Sequence, residues 1–245
     1  MFVVTGIAVA AAAHEDCDHL FLPTDFHRTS PQNHTYDTDT CNRTKLVWQY
    51  NVYNTAGMLA SERDGDNPAS GWIIDIGCGN GEKGAALYEH GSNWLGIDHG
   101  VNFEAAKQTA AASPRYRASG GEGVAFAEWN IDNAHGDGPD LPAAMPIRGA
   151  IVLCSDVIEH LFRPLNVLRF ASALLEKGAR AFVLSTPGRS ALVAQKPRVY
   201  THKRTAWPKD VQFWAPSELH KLLARVLGCS AIDARLPHSR ELCHR

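Results

Sequence analysis

The segment Asp75-Ile76-Gly77-Cys78-Gly79-Asn80-Gly81 stands between a short apolar run, Trp72–Ile76, and a helical stretch from Glu82 to His90 that Gly91 stops. Glycines at these positions let the backbone turn tightly and let a ligand approach without interference from a Cβ. The helix beyond offers partly positive amide groups at its N-terminus. A strand, a glycine turn and a helix in this order commit the chain to an α/β fold, and the rest of the sequence keeps the rhythm. Asn93–Ile97 reads as a second strand, ending at Asp98, and Asn102 is placed to cap a helix running to about Ala112. Val124–Ile131, Ala150–Cys154 and Ala181–Ser185 read as further strands. Between the last two, Leu165, Leu168, Ala171, Leu174 and Leu175 mark a helix from Pro164 to Lys177. Pro216 suits the first turn of a helix to Leu227, and Ser230–Leu236 is a last strand candidate. Alternating strands and helices predict a Rossmann-like, doubly wound, mostly parallel sheet of six to seven strands with helices on both faces.

Ahead of this region, apolar residues at Val47, Tyr50, Val52 or Tyr53, and Met58 predict a helix over Lys45 to Ser61 with aromatic side chains on its buried face, and Trp48, Tyr50 and Tyr53 can close over the crevice at the strand ends. Residues 1–44 read as an irregular lead-in and residues 45–245 as the domain. Within the lead-in, residues 2–13 form an apolar run, but no Lys or Arg precedes it and the first is Arg28. It is far shorter than the roughly 20 residues of a membrane span, so a cytoplasmic location without a span is expected. Cysteines at 17, 41, 78, 154, 229 and 243 form no CxxC pair and no zinc spacing, which fits scattered reduced thiols. The formal charge of -2 supplies no global attraction to nucleic acid or anionic lipid.

Two details separate the ligands such a glycine loop can take. A dinucleotide fingerprint places a third glycine where this chain has Glu82. Asp75 stands two residues before the first glycine, where a carboxylate repels a pyrophosphate and attracts a cation. An NAD-binding oxidoreductase of Rossmann type is therefore the weaker alternative.

The sequence DIGCGNG resembles the first motif of class I S-adenosylmethionine (SAM) methyltransferases, whose cofactor carries an ammonium and a sulfonium. Later segments follow that family's order. Asp98 closes WLGID, where the family's acid grips both ribose hydroxyls; a carboxylate accepts two hydrogen bonds there. Trp129-Asn130-Ile131-Asp132 resembles the third-strand ending whose Asp accepts from the adenine amino group. Cys154-Ser155-Asp156-Val157-Ile158-Glu159-His160 and Ser185-Thr186-Pro187-Gly188-Arg189 are similar to segments of the group containing ubiquinone-biosynthesis O-methyltransferases. The resemblance covers roughly residues 45 to 235. It implies a SAM site made by Asp75, Gly77, Cys78, Gly79, Asn80, Gly81, Asp98, His99, Asp132, Asn133, Cys154 and Ser155.

Beyond the fourth of these strands, Asp156, Glu159 and His160 should face the crevice at the strand ends. They admit three uses. His160 or Asp156 can act as a general base on an acceptor hydroxyl. The D-x-x-E-H spacing is similar to the E-x-x-E-H that helps hold a divalent ion in the ubiquinone enzymes and in small-RNA 2′-O-methyltransferases, which makes Asp156, Glu159, His160 and Asp210 metal candidates. Asp210 stands where those RNA enzymes have a His, so a divalent metal is not the favoured reading. Alternatively, Glu159 and His160 simply pack the helix entrance.

On the acceptor side, Arg189 to Trp214 is a long connection with Lys196, Arg198, His202, Lys203, Arg204 and Lys209 interleaved with Tyr200 and Trp207. No D/N-P-P-Y/F stretch follows the fourth strand, no Pro-Cys nucleophile occurs, and no paired-Glu loop is present, which disfavours DNA base, pyrimidine carbon and arginine methylation. The expected activity is O-directed methylation of a small-molecule or glycan acceptor, with RNA ribose 2′-O-methylation as the alternative. The family's sheet ends in a sixth and an antiparallel seventh strand. Only Pro237 to Arg245 remain for the latter, so a short or absent seventh strand is expected.

Overall fold

The computed structural model describes residues 2–5, 43–62, 71–132, 138–186, 214, 216–227 and 232–234. In chain order these form β1 (Phe2–Thr5), α1 (Arg43–Ser61), β2 (Trp72–Ile76), α2 (Glu82–Glu89), β3 (Asn93–Asp98), α3 (Gly100–Ala112), α4 (Pro114–Ser119) and β4 (Val124–Glu128). There follow β5 (Ile151–Ser155), a 3-10 turn (Ile158–His160), α5 (Pro164–Glu176), β6 (Ala181–Ser185), α6 (Pro216–Leu227) and β7 (Ile232–Ala234).

Strands β2 to β6 lie parallel in the order β4-β3-β2-β5-β6. The order reverses at β2, whose neighbours are β3 on one side and β5 on the other. In an open parallel sheet the crevice beyond such a reversal is where ligands bind. The Gly77–Gly81 turn leaves β2 at that point.

Side chains alternate along each strand, so the two faces feed separate cores. Val152, Cys154, Phe182 and Leu184 join Ile74, Ile76, Leu95 and Ile97 on one face, under α5 and α6. Ile151, Leu153, Ala181 and Val183 join Ile73 on the other, under Val52, Tyr53, Ala56 and Ala60 of α1. A smaller cluster packs Trp94 among Cys78, Tyr88, Ala106 and Ala110. Both faces are covered, which is why β5 and β6 read as unbroken apolar runs rather than alternating ones.

Three expectations are corrected. First, the N-terminal region is not irregular throughout: β1 pairs antiparallel with β6, Phe2 opposite Leu184 and Thr5 opposite Ala181. On its other side β1 pairs antiparallel with β7. The antiparallel place at this edge is thus taken by the N-terminus, while residues 237–245 lie outside the described residues. Second, Asn102 does not cap α3; the helix starts at Gly100 with His99 at the N-cap and no side-chain cap bond. Third, the third strand of the parallel series stops at Glu128, and Trp129–Asp132 continue as non-strand chain. The short helix α4, which follows α3, had no counterpart in the sequence reading; Pro114 opens it and the Ser113 hydroxyl accepts from the Tyr116 N–H.

Candidate functional site

Every left-handed turn of the glycine loop is used. Gly77, Gly79 and Gly81 have φ of 73°, 60° and 78°. At Gly77 a Cβ would lie 2.5 Å from Val157 Cγ2, so this glycine also makes room for the segment that follows β5. The loop is tied to β3: the Gly77 and Cys78 amides donate to the Ile97 carbonyl, and the Gly79 amide donates to Asp98 Oδ2 at 2.8 Å.

Asp98 is 7% exposed. Besides Gly79, the His99 N–H donates to its Oδ1 at 2.8 Å, and the Asn102 side chain also bonds to it. Burial raises the carboxyl above its usual range, against the pull of these donors. A carboxylate offers about four acceptor positions. Two backbone donors therefore fix its plane. The His99 ring lies beside the same carboxylate, Nδ1 to Oδ1 3.6 Å.

Asp75 is placed otherwise than its charge alone suggested. Its carboxylate is 0% exposed and turned into the protein. The Tyr53 hydroxyl bridges its oxygens at 3.1 and 3.0 Å, and Trp94 Nε1 donates to Oδ2 at 3.3 Å. Burial raises its pKa to about 7, outweighing these donors and the nearby Lys83. Lys83, on α2, is itself buried, and desolvation lowers its pKa against the attraction of Asp75, Tyr50 and Asp156. The carboxylate at the strand tip is thus buried, with Tyr53 and Trp94 donating to it.

Asp156 follows β5 with φ 54°, the left-handed region in a residue that carries a Cβ. Such backbone costs of order 1–3 kcal/mol and persists only where surroundings enforce it. Here Gln49 Nε2 donates to Asp156 Oδ2 at 2.7 Å and the Ser185 hydroxyl to Oδ1 at 3.3 Å. Gln49 and Tyr53 are one helical turn apart on α1, so a single face of that helix reaches the tips of β5 and β2. Sequence reading singled out Tyr53 as an aromatic near the crevice but missed Gln49, Lys83 and Trp94. Only Trp94, a large side chain in a strand beside a glycine-rich turn, left a local trace.

The remaining candidates scatter. Glu159 is 1% exposed and accepts from the Thr186 hydroxyl at 3.0 Å, with His160 Nε2 3.9 Å from its other oxygen. Among the described residues, no group of three His, Cys, Asp or Glu side chains has the arrangement of a metal site. Asp210 and the basic residues of the 189–213 connection lie outside the described residues. Asp132 accepts from the Arg163 N–H at 2.9 Å, joining the chain after β4 to the start of α5. Burial raises its carboxyl above the usual range. Asn133 also lies outside the described residues. Cys78 and Cys154 are buried free thiols whose pKa burial pushes up, and Ser155 shares a 2.9 Å hydroxyl bond with Ser185. The side chain of Trp48 is outside the description. No helix of the described residues is long and apolar enough to cross a membrane.

Comparison with known proteins points one way. A family model described as a methyltransferase domain matches residues 52–226, well over half the chain. Among curated proteins, the ubiquinone biosynthesis O-methyltransferase of Pseudomonas aeruginosa (strain UCBPP-PA14) is 27% identical over 118 residues, 48% of this chain and 45% of the relative. That of Serratia proteamaculans (strain 568) is 23% identical over 155 residues, 58% of each. The chain therefore spans about half the length of the curated relatives it matches. Among solved structures, the small RNA methyltransferase HEN1 superposes with a TM-score of 0.50 at 14% identity, covering 72% of this chain and 21% of that one. At that identity the likeness concerns the fold alone.

Proposed function

This chain belongs to the methyltransferase-domain family, and from that premise we propose that it uses SAM to methylate an oxygen of a small-molecule or sugar acceptor. The observation that carries the acceptor reading is Asp156. It is a carboxylate held by Gln49 and Ser185 in a strained backbone at the tip of β5, the strand beside the glycine loop.

The described residues fit the adenosine end of the cofactor. Along Gly77, Cys78, Gly79, Asn80 and Gly81 the glycines leave space for the ligand's approach; Asp98 takes the ribose hydroxyls, with His99 beside it. Asp132 is assigned to the adenine, and Cys154 and Ser155, at the end of β5, to the cofactor side of the crevice; Asn133 lies outside the described residues. SAM supplies a methyl group on a sulfonium, a good leaving group, so much of the rate follows from holding an acceptor in line. Asp156, or His160 after it, receives the acceptor's hydroxyl proton; general bases of this kind contribute about 10²–10⁴-fold. The similarity to ubiquinone biosynthesis O-methyltransferases supports oxygen as the target. A divalent ion held by Asp156, Glu159, His160 and Asp210 is not part of this reading: among the described residues no three such side chains have the arrangement of a metal site, and Asp210 lies outside them.

The test is transfer of labelled methyl from SAM to a panel of catechols, simple phenols, sugars and short RNA, with and without EDTA. An O-methyl product from the phenols or sugars is expected, insensitive to EDTA and slowed by Asp156→Asn with SAM affinity retained. Label entering only RNA, in a metal-dependent manner, would overturn the acceptor assignment in favour of ribose methylation.

A further inference from the structure

Gln49 stands where packing alone calls for an apolar residue. The side chains that α1 packs on the sheet are Val52, Tyr53, Ala56 and Ala60. Gln49 lies one helical turn before Tyr53, on the same stripe, and is 6% exposed. A buried amide lowers stability unless its hydrogen bonds are made. This one donates to Asp156, with Nε2 2.7 Å from Oδ2. Asp156 is held from other directions as well. Its N–H donates to the Ser185 carbonyl at 3.0 Å, so β5 stays tied to β6 up to this residue, where the backbone turns with φ 54°. The Ser185 hydroxyl donates to Oδ1 at 3.3 Å. Ser185 has one hydroxyl proton, so it accepts from Ser155 in the 2.9 Å bond between them. Each carboxylate oxygen thus has a donor from a different element, and the shorter bond is the one from α1.

We propose that Gln49 is a positioning residue for methyl transfer: its amide, carried on α1, holds the Asp156 carboxylate in the orientation from which it takes the acceptor's hydroxyl proton. The inference rests on the reading of Asp156 as the group that receives that proton. In the step itself the acceptor oxygen bonds to the methyl carbon, the carbon–sulfur bond breaks with its electron pair going to sulfur, and the hydroxyl proton passes to Asp156. Gln49 gains and loses nothing. Its part is geometric. A carboxylate held by Ser185 alone can swing about its side-chain bonds, and a misplacement of about 1 Å at a reacting group can cost about 10²-fold in rate. An amide also suits the task better than a cation. It orients the carboxylate while lowering its basicity less than an adjoining lysine or arginine would. The left-handed backbone of Asp156 points the same way, since such strain persists where the surroundings enforce it and collects at functional sites. Because α1 lies outside the sheet, the base is in place only when that helix is docked.

The experiment follows labelled methyl from SAM into the panel of catechols, phenols and sugars, using the full chain as wild type, Gln49→Met, Asp156→Asn and the double variant. SAM affinity is measured alongside by calorimetry. Methionine matches glutamine in length and has no donor. Gln49→Met is expected to lower kcat by roughly 10- to 100-fold, with KM for the acceptor and Kd for SAM within about twofold of wild type. In the Asp156→Asn background the same change should cost less than about twofold, because the group that Gln49 orients no longer takes the proton. A purely structural role would give the same loss in both backgrounds. A second variant, Gln49→Glu, keeps the side chain's shape but turns an oxygen toward the carboxylate, and it should be slowed at least as much; it serves where Gln49→Met does not fold. Wild-type kcat in either Gln49 variant, or an equal loss in both backgrounds, would overturn the inference alone. Asp156→Asn as active as wild type, or folded wild type that methylates no member of the panel, would overturn it together with the reading it rests on.

Discussion

Gly84 offers a test of how the site is packed, because two rules predict opposite signs for Gly84→Ala. In an open helix the change stabilises by about 1 kcal/mol, as alanine has the better helix propensity. Here a Cβ would lie 2.0 Å from Trp94 Cε2 and 2.4 Å from both Cζ2 and Nε1. Trp94 has little room to retreat: it is 0% exposed, stands edge-on to Phe126 with centroids 5.3 Å apart, and donates to Asp75. Relief requires α2 and the indole to separate by more than about 1 Å, and overpacking of a tight core costs about 1–3 kcal/mol. Pulling the indole from Asp75 adds about 1 kcal/mol. The net expectation is a loss of about 1–3 kcal/mol, read by urea unfolding followed by circular dichroism. In a Trp94→Phe background, where the smaller ring frees the space, the same alanine should cost less. Equal stability of Gly84→Ala and wild type, or an equal cost in both backgrounds, would refute the packing argument. Because α2 starts where the glycine loop ends, the variant should also weaken SAM binding.

Three further expectations concern the carboxylates. Asp75, raised from 3.8 to about 7 on folding, keeps its proton in the folded state after the unfolded chain has lost it. Its contribution is therefore full below about pH 4 and lost as pH rises through 7, worth about 4 kcal/mol at about 1.4 kcal/mol per tenfold. The difference in unfolding free energy between wild type and Asp75→Asn, followed from pH 4 to 8, should move by an amount of that order in favour of the variant; a flat difference would contradict the burial argument. Asp98→Ala should weaken SAM binding by about 1.5–3 kcal/mol through lost hydrogen bonds to a charged group, measured by calorimetry, and unchanged affinity would remove Asp98 from the ribose site. Asp132→Ala should cost about 1 kcal/mol of stability by freeing the Arg163 N–H, an effect on the urea midpoint that an adenine contact alone would not produce.

The parallel layers and the glycine turn were legible because their signals are local. β2, β6 and α6 run between the residues where sequence periodicity set them, since each is a short apolar or amphipathic run closed by glycine, proline or a polar residue. The places of Asp98 and Asp156 followed as well, since in a parallel sheet the residue after a strand must lie at the crevice edge. Edges were less legible. Cys154 continued into Ser155 within β5, and the chain after Glu128 left the sheet, because strand length depends on the neighbour's length as much as on propensity.

What local pattern decided alone was the class of fold and the conformation of the Asp75–Gly81 turn. Left-handed glycines and alternating apolar runs have few other solutions. What needed the folded chain was partnership. Phe2–Thr5 carries no mark that it will lie between β6 and β7, because strand pairing across most of the chain is chosen by the edge left open once the parallel sheet has formed. The charge of Asp75 likewise belongs to no segment. Its acidity is set by the dielectric and the donors that Tyr53, Trp94 and Lys83 bring from three other elements, and those meet only after the layers close.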